Sequence, residues 1–294
     1  MKLLIGDKSN ELLNVVYEFL STSNKGAVIW LDGHDIINEL VVDDEIASNQ
    51  SQVKVNWWYR GIHITPERTT GVLNQLGCFD PSLFHEFAES DREFAQSEFN
   101  SYLLFALNEF RNVLNPAWGS ALSGYCQSLP YQWAWVQRHA RQIRVPGACF
   151  STYKHVPNDF RFGSNIIVSN NPFNVMNWKI GFPTSIATDE HYLWYERPRG
   201  KPFVITAIDN NKWIQPLGGS MNCSRALEDV SQLCHALMEH FHIRLAEILF
   251  FYDEYANQYT FGSIRPYIEA GHIPGDRTSE FLKLISVALD GSPL

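Results

Sequence analysis

The chain has 294 residues, of which 45% are hydrophobic and only 19% are charged, a composition that excludes an intrinsically disordered protein. At roughly 150 residues per domain, this length predicts about two domains with a sizeable core. Lysine and arginine number 23 against 32 aspartates and glutamates, and the resulting net charge of −9 argues against a nucleic-acid partner.

The N-terminal part of the sequence has an α/β pattern. Residues 2–6 form a short apolar run, a helical pattern of apolar residues follows, and residues 27–31 indicate a second buried strand. A strand, a helix and a strand at this spacing predict a parallel pair with a crossover helix. Because Asp7 and Lys8 interrupt the first apolar run, it is too short for a signal peptide, and we expect a cytoplasmic protein.

Two further strands and a long helix are predicted next. The segment 52–60 alternates between two faces in the manner of a half-buried strand, and residues 71–76 indicate another buried strand. From Ser90 the apolar period changes to that of a helix, which we expect to continue to Phe110. Residues 117–130 contain several glycines and serines, and we expect them to connect two lobes.

The second half of the sequence predicts helices among short strands. Helices are expected over residues 131–143, 224–242 and 280–288. Strands are expected at residues 148–151, 166–169, 176–180, 192–196, 203–208, 212–215, 245–252 and 258–264. The turn Asp209-Asn210-Asn211 indicates a hairpin between two of these strands. The predicted fold class is therefore α/β, with an α+β arrangement in the C-terminal half.

The sequence lacks the short motifs of several common protein classes. Neither GxGxxG nor GxxxxGK[ST] is present, and no two of the five cysteines are arranged as CxxC. The apolar run from Ile243 to Tyr252 is interrupted by Arg244 and Glu247 and is far shorter than the ~20 residues that a bilayer requires. We therefore expect no membrane span and no Rossmann or P-loop nucleotide site.

The order of elements resembles a known family. A strand ends in Gly71-Val72-Leu73-Asn74-Gln75, a long helix with Glu98 leads to Val113-Leu114-Asn115-Pro116, and the helix 131–143 ends before Arg144-Val145-Pro146. On these segments the chain is similar to the ATP-grasp superfamily, above all to the branch of the ribosomal-protein glutamate ligase and peptide-modifying ligases. The resemblance implies a pre-ATP-grasp α/β lobe at residues 1–122 and an ATP-grasp-like nucleotide-binding region at residues 123–294.

The resemblance also implies a reaction. In ATP-grasp ligases ATP lies between two sheets, magnesium bridges its phosphates, and a carboxylate is activated as an acyl-phosphate before an amine attacks it. For this chain the resemblance implies an ATP-dependent carboxylate–amine ligase, with ATP and magnesium as cofactors and a carboxylate or peptide as the substrate.

Nucleotide-binding positions follow from the resemblance. A lysine that binds phosphate is expected at the end of the strand 166–168, but Ser169 occupies that place, and Lys154 or Lys179 is the predicted substitute. The segment that hydrogen-bonds adenine corresponds to residues 193–198. Within it, the predicted cofactor-binding residues are Trp194, Tyr195, Glu196 and Pro198.

The metal-binding motif departs from the family pattern. Glu247 matches the acidic ligand of one strand, but Ser263-Ile264-Arg265-Pro266 stands where the family has Glu-Xaa-Asn-Pro. An arginine brings a fixed positive charge to the place of the divalent ions, where like charges repel strongly in a partly dry cleft. Glu247 is the predicted magnesium ligand, and Arg265 is predicted to bind phosphate or the carboxylate substrate. The alternative is an ion pair between Glu247 and Arg265 across neighbouring strands.

The sequence leaves three functions open. The first is the ligase with the residues above. The second is a pseudoenzyme of the same fold that binds a nucleotide or a peptide as a scaffold subunit, which Ser169 and Arg265 favour. The third is a carbohydrate- or peptide-binding protein with exposed aromatic residues that stack on the ligand. The candidates for such stacking are Trp57, Trp58, Tyr59, Trp133 and Trp135.

Overall fold

The computed structural model of the chain describes residues 1–23, 26–46, 53–119, 121–124, 127–151, 166–169, 192–217 and 227–291. The α-helices in these ranges are α1 (Glu11–Thr22), α2 (Arg92–Asn108), α3 (Leu129–His139), α4 (Leu227–His240) and α5 (Thr278–Leu289). The β-strands are β1 (Lys2–Ile5), β2 (Val28–Leu31), β3 (Val41–Val42), β4 (Glu45–Ile46), β5 (Val53–Lys54), β6 (Trp57–Tyr59), β7 (Ile62–Ile64), β8 (Gly71–Asn74), β9 (Val113–Leu114), β10 (Ala148–Ser151), β11 (Ile166–Ser169), β12 (Tyr192–Glu196), β13 (Lys201–Ile208), β14 (Asn211–Pro216), β15 (Leu245–Asp253) and β16 (Gln258–Arg265). The strand predicted at residues 176–180 and the side chains of Lys154 and Lys179 lie outside the described residues.

The chain forms two compact units. The first unit comprises Met1–Tyr125, Phe241–Leu245 and Pro266–Leu294, and the second unit comprises Cys126–His240 and Ala246–Arg265. The polypeptide therefore leaves the first unit after Tyr125, returns to it for five residues, and leaves it once more before its C-terminal segment. The functional division at residue 122 that the resemblance implies stays a prediction.

A four-stranded parallel sheet in the order β2-β1-β8-β9 forms the centre of the first unit. β1 pairs in parallel with both β2 and β8, so the predicted parallel pair with a crossover helix is confirmed. Every residue of β1 and β8 is buried, as is typical of strands in a parallel sheet. The crossover helix α1 begins at Asn10, whose side chain accepts a hydrogen bond from the Leu13 amide at 3.0 Å.

The long helix of the first unit ends earlier than the sequence pattern predicts. α2 stops at Asn108, where the amide of Glu109 donates to the carbonyls of Ala106 and Leu107. The next residues to form regular structure are those of β9, which pairs in parallel with β8. This strand was not predicted, because two residues are too few to show a period.

The prediction of a single strand over residues 52–60 is wrong, because this segment forms two short strands, β5 and β6. β5 pairs with β4, whereas β6 joins β3 and β7 in a separate three-stranded sheet. The break lies at Asn56, whose amide donates to the Asp44 carboxylate at 2.8 Å instead of to a strand. The predicted facing of the side chains is confirmed, because Trp57 is completely buried and Trp58 is 42% exposed.

The C-terminal helix α5 belongs to the first unit. Asn112 donates to the carbonyl of Ala288 at 2.7 Å, and Lys2, whose side chain is almost fully buried, forms an ion pair with Asp290 at 2.6 Å. These contacts attach α5 to the parallel sheet. In the ranges that the structure describes, no helix combines the length and the apolarity that a membrane crossing requires.

The second unit contains two sheets. One has the order β10-β12-β11 and is antiparallel, and the other has the order β14-β13-β15-β16. The hairpin predicted between β13 and β14 is confirmed, and Asp209 takes the left-handed conformation in its turn, with φ +48°. β15 and β16 form a second antiparallel hairpin at the edge of the four-stranded sheet.

The outer edge of β16 is covered along most of its length. The Arg144 backbone inserts beside it, donating to the Tyr259 carbonyl and accepting from the Phe261 amide at 2.9 and 2.8 Å. From α3, Trp133 donates to the Gly262 carbonyl at 2.6 Å. The side-chain amide of Gln132 donates to the Ile264 carbonyl and accepts from the Ile264 amide. An edge strand satisfied in this way cannot pair with another chain.

Candidate functional site

The hairpin of β15 and β16 places the predicted metal-site residues on one face of the four-stranded sheet. Glu247 lies directly opposite Arg265, and the register then shifts by one residue at Gly262. After this bulge Asp253 lies opposite Gln258. Because side chains alternate along a strand, Glu247 and Asp253 lie on the same face of β15, and so do their partners on β16. The bulge changes which residues of β16 share this face with Arg265.

Glu247 and Arg265 form a buried ion pair. The Arg265 guanidinium donates to Oε1 of Glu247, and the two side chains are 11% and 5% exposed, in that order. Removing two charges from water costs several kcal/mol each, about the amount that a well-made pair recovers. The ion pair across neighbouring strands, left open by the sequence, is thus present in the structure.

At the ion pair, β15 and β16 provide one carboxylate, that of Glu247, for a magnesium ion. Magnesium demands hard oxygen ligands, chiefly carboxylates, in near-ideal octahedral geometry. The Glu247 carboxylate is already bound by Arg265, and Ser263, where the resemblance predicts a second acidic ligand, is buried and brings a neutral hydroxyl. This hydroxyl has no hydrogen-bond partner among the described residues. A divalent ion would therefore meet a guanidinium where the family pattern supplies further oxygen ligands.

A cavity of 310 Å³ lies at the other end of the same sheet face, beside the segment predicted to bind adenine. Glu196 and Pro198, two of the predicted cofactor-binding residues, line it. Its walls are formed by Arg144, Val145, Pro146, Glu196, Arg197, Pro198, Arg199, Asp253, Gln258 and Thr260. Along β15 the distance from Glu247 to Asp253 is ~20 Å at about 3.3 Å per residue.

The cavity is strongly polar, because three arginines and two carboxylates surround it. From the sequence, Arg144 was noted only as part of a turn, Arg197 lay in the predicted adenine segment without a role of its own, and Arg199 was not predicted. The Arg-Pro-Arg run from Arg197 to Arg199, which begins inside the predicted adenine segment, is a signal for them. Arginines in a concave site favour an anionic or hydrogen-bonding ligand.

The side chains of Trp194 and Tyr195 belong to the interior of the second unit. Both are buried although they are neighbours on β12, so this strand is covered on both faces. The Tyr195 ring meets the edge of Trp133 at 5.3 Å, and burial raises the pKa of its hydroxyl to about 12. Of the four residues predicted to bind the cofactor in this segment, Glu196 and Pro198 line the cavity, while Trp194 and Tyr195 do not.

The aromatic residues proposed for ligand stacking are mostly engaged within the protein. Trp57 is buried and donates to the Tyr102 hydroxyl at 2.7 Å. The Trp135 ring stacks with two histidines of its own chain, His139 at 4.4 Å and His240 at 4.8 Å. Tyr59 and Trp133 are buried, and the exposed Trp58 stacks on His63 at 4.2 Å. This arrangement gives the third function little support.

A group of potential metal ligands lies in the first unit. Asp32, His34 and Asp35 place ligand atoms within 4.8 Å of one another. Asp35, however, accepts a hydrogen bond from the Tyr59 hydroxyl at 2.9 Å and forms an ion pair with Lys8 at 3.1 Å. Since its carboxylate is already bound to a cation and a hydroxyl, we interpret this group as a structural network.

Comparison with known proteins identifies the fold. No protein-family profile matches the sequence, and no curated protein matches it. The macrocyclase MdnC of Microcystis aeruginosa MRC, solved with its precursor peptide MdnA, is similar with a TM-score of 0.74 and 12% identity over 99% of this chain and 100% of that chain. A RiPP-associated ATP-grasp ligase of Chryseobacterium gregarium, solved with ADP and a leader and core peptide, has a TM-score of 0.68 and 11% identity over 99% and 97%.

A third similar structure contains a metal. The ATP-grasp ligase PsnB, solved with a minimal precursor, Mg and ADP, has a TM-score of 0.64 and 12% identity over 97% of this chain and 96% of that chain. The chain therefore has the ATP-grasp fold, and the predicted resemblance and α/β class are confirmed at the level of the fold. Because one fold hosts many activities, the function has to be argued from the site.

Proposed function

We propose that this chain is a catalytically degenerate protein of the ATP-grasp fold, which binds an adenine nucleotide and a peptide and transfers no phosphoryl group. The observation on which the proposal depends is the Glu247–Arg265 ion pair, in which the guanidinium binds the carboxylate that is predicted to hold the metal. Phosphoryl transfer requires divalent cations held on carboxylates. Ser263 and Ser169, at a metal and a phosphate position of the family, support the same conclusion.

The proposed nucleotide site follows the sheet face that the two strands share. Its adenine end is the cavity beside Glu196 and Pro198, and its phosphate end is Arg265. Thr260 of the cavity lies opposite Phe251, which is four residues from Glu247, a distance of ~13 Å at about 3.3 Å per residue. An extended nucleotide suits this distance. Arg265 has five N–H donors and a permanent charge, so it offers phosphate a cation without a metal.

Further parts of this site are proposals that rest on the fold. Lys154 and Lys179 are the proposed phosphate-binding lysines, residues 123–294 the proposed nucleotide-binding region, and residues 1–122 the lobe that precedes it. A peptide is the proposed second ligand, because MdnC and the C. gregarium ligase were both solved with peptides. The carboxylate of such a peptide is a natural partner for the arginines near the cavity.

Thermal unfolding with nucleotides tests the proposal. ATP or ADP at about 100 times its dissociation constant is expected to stabilise the protein by about 2.7 kcal/mol, equally with magnesium and with a chelator. We expect no ADP release from ATP, with or without a peptide panel. Stabilisation that appears only with magnesium, or magnesium-dependent ADP release, would refute the degenerate site.

A cavity-filling variant locates the nucleotide. Thr260→Tyr places a ring in the cavity and is expected to abolish the stabilisation by nucleotide. The same substitution at Thr22, which is exposed at the end of α1, is the matched control and should bind as the wild type does. Equal binding by both variants would place the nucleotide elsewhere.

An active carboxylate–amine ligase is the second candidate. The likeness of fold, which extends over 97–100% of the chains of two peptide ligases, favours it. In this case Arg265 has to release Glu247 to a metal, and Glu247→Ala is expected to abolish ADP release. Glu45→Ala, which breaks an exposed pair with Lys54, is the control. Equal ADP release by both variants would remove Glu247 from the metal site.

A further inference from the structure

Asn115 is completely buried in the first unit and uses all of its hydrogen-bonding capacity. Its Nδ2 donates to the carbonyls of Leu245 and Pro266, both at 2.6 Å. Its Oδ1 accepts from the amides of Arg244 and Leu245 at 2.9 and 2.8 Å. An asparagine amide has two donor hydrogens and two acceptor positions, and all four are satisfied here by backbone groups.

These partners are the residues at which the chain passes between the two units. Leu245 is the last residue of the first unit before β15 continues into the second, and Pro266 is the first residue after β16 returns. Glu247 follows Leu245 by two residues, and Arg265 directly precedes Pro266. A single side chain therefore ties together the outer ends of the two strands at the point where they carry the ion pair.

Gly124 lies against the same side chain. Gly124 precedes the crossing after Tyr125, and a Cβ atom on it would lie 2.8 Å from the Cβ of Asn115 and 2.9 Å from that of Pro266. Gly124 also has φ +120°, which other residues rarely adopt. Asn115 thus hydrogen-bonds residues at two of the four places where the chain passes between the units, and Gly124 packs against it.

The backbone of Asn115 itself is suited to this role. Its φ is +61°, in the left-handed region that asparagine tolerates better than most residues. Aspartate has the same shape but would present oxygen, in place of N–H, to the two carbonyls of Leu245 and Pro266. Glycine would keep the conformation and lose all four hydrogen bonds.

We infer that Asn115 is a positioning residue that holds Glu247 opposite Arg265 by fixing the ends of β15 and β16. The inference deepens the proposed function and rests on it, because the ion pair is the feature that distinguishes this site. None of the four hydrogen bonds of the Asn115 side chain goes to the side chain of Glu247 or Arg265. It acts through the backbone of Leu245 and Pro266.

Nuclear magnetic resonance of the arginine side chains tests the inference without any ligand. In the wild type the guanidinium of Arg265 is expected to give a slowly exchanging signal, assigned by its loss in Arg265→Lys. In Asn115→Gly this signal is expected to exchange at least about tenfold faster, since both strand ends lose their hydrogen bonds. Asn74→Ala is the matched control, because Asn74 is an equally buried asparagine of the first unit that bonds Leu122 and Leu76.

The control separates positioning from general stability. If Asn115→Gly and Asn74→Ala lower the unfolding temperature alike but leave the Arg265 signal unchanged, Asn115 is merely structural and the inference is refuted. Loss of the signal in Asn115→Gly alone supports it.

A measurement on the wild type covers the case in which the glycine variant does not fold. Native-state hydrogen exchange should show the amides of Arg244 and Leu245 opening together with the amides of β15, in one cooperative step. Exchange of these two amides by separate local opening would refute the inference. Neither readout involves nucleotide, so a chain that releases ADP from ATP would overturn the proposed function and leave the role of Asn115 standing.

Discussion

Glu247 and Arg265 face each other across β15 and β16, and their side chains form an ion pair that leaves 5% and 11% of their surfaces exposed. The resemblance to ATP-grasp ligases predicts a metal ligand at Glu247, and in the structure the cation beside this carboxylate is the Arg265 guanidinium. A buried pair contributes little net stability, but either charge left alone would be very unfavourable. The two residues must therefore be considered as one unit in any substitution.

Single and double substitutions of the pair should differ sharply in stability. Arg265→Met leaves the Glu247 carboxylate buried without its cation and is expected to lower the free energy of unfolding by about 3–5 kcal/mol. The double variant Glu247→Leu/Arg265→Met removes both charges and is expected to unfold at wild-type stability or above. Urea unfolding measures both.

An exposed ion pair supplies the control for this comparison. Lys54→Met removes the cation from Glu45, and the side chains of that pair are 65% and 63% exposed. Its cost is expected to be below about 1 kcal/mol. A cost of Arg265→Met no larger than that of Lys54→Met would show that the pair is hydrated, contrary to its burial in the structure.

Restoring the family motif should restore sensitivity to magnesium. Ser263→Glu/Arg265→Asn recreates the Glu-Xaa-Asn-Pro sequence and releases Glu247 from its ion pair. We expect ADP to stabilise this variant more with magnesium than with a chelator, whereas the wild type shows no difference. Ser263→Gln/Arg265→Asn is the matched control, since it has the same size without the second carboxylate. Equal responses of the two variants would contradict the assignment of these positions to a metal.

Local periodicity sufficed to predict much of the fold. β1, α1 and β2 were predictable because burial imposes a regular apolar pattern on each of them, and the hairpin at Asp209 carries its own turn residues. The split of residues 52–60 was not, because it depends on a hydrogen bond from the Asn56 amide to Asp44, which lies in the connection between β3 and β4. A contact of this kind leaves no periodic trace in the sequence.

The candidate site was only partly predictable for the same reason. Glu247 and Arg265 were found through the family resemblance, and their pairing follows once the two strands are opposite each other. The hydrogen bonds of Asn115 join residues 130 and 151 positions apart, and the arginines of the cavity come from two separate segments. Such combinations are set by tertiary structure, which outweighs local propensity.

The hydrogen bonds around Asp35 should make the free energy of unfolding depend on pH. Burial opposes ionisation of this carboxyl, but hydrogen bonds from the Asp32 amide, Lys8 and Tyr59 outweigh it and hold the pKa below its usual 3.8. A lowered pKa stabilises the folded state above the unfolded pKa, and this stabilisation is lost as the pH falls through the folded pKa. The stability difference between wild type and Asp35→Asn should be constant from about pH 7 to about pH 5 and should shrink below about pH 4.

Urea unfolding at a series of pH values measures this difference. Tyr59→Phe removes one hydrogen bond to Asp35 and should move the loss to higher pH, because the carboxylate is then less stabilised. A difference that does not change with pH would contradict the role assigned to the ionised Asp35.

Gly200 should be sensitive to any side chain, because it lies between the predicted adenine segment and β13, in close contact with the end of β15. Its φ is +99°, and a Cβ atom there would lie 2.6 Å from the amide nitrogen of Asp253, a residue of the cavity. Gly26 has nearly the same φ, +104°, but nothing lies within 4 Å of its Cβ position.

Gly26→Ala is expected to cost about 1–2 kcal/mol for the left-handed backbone alone. Gly200→Ala should cost a further 1–3 kcal/mol or so for the collision, roughly the penalty of overpacking, and should displace Asp253 and thereby weaken nucleotide binding. Equal costs for the two variants in urea unfolding would show that the hairpin does not approach Gly200 as closely as the structure indicates.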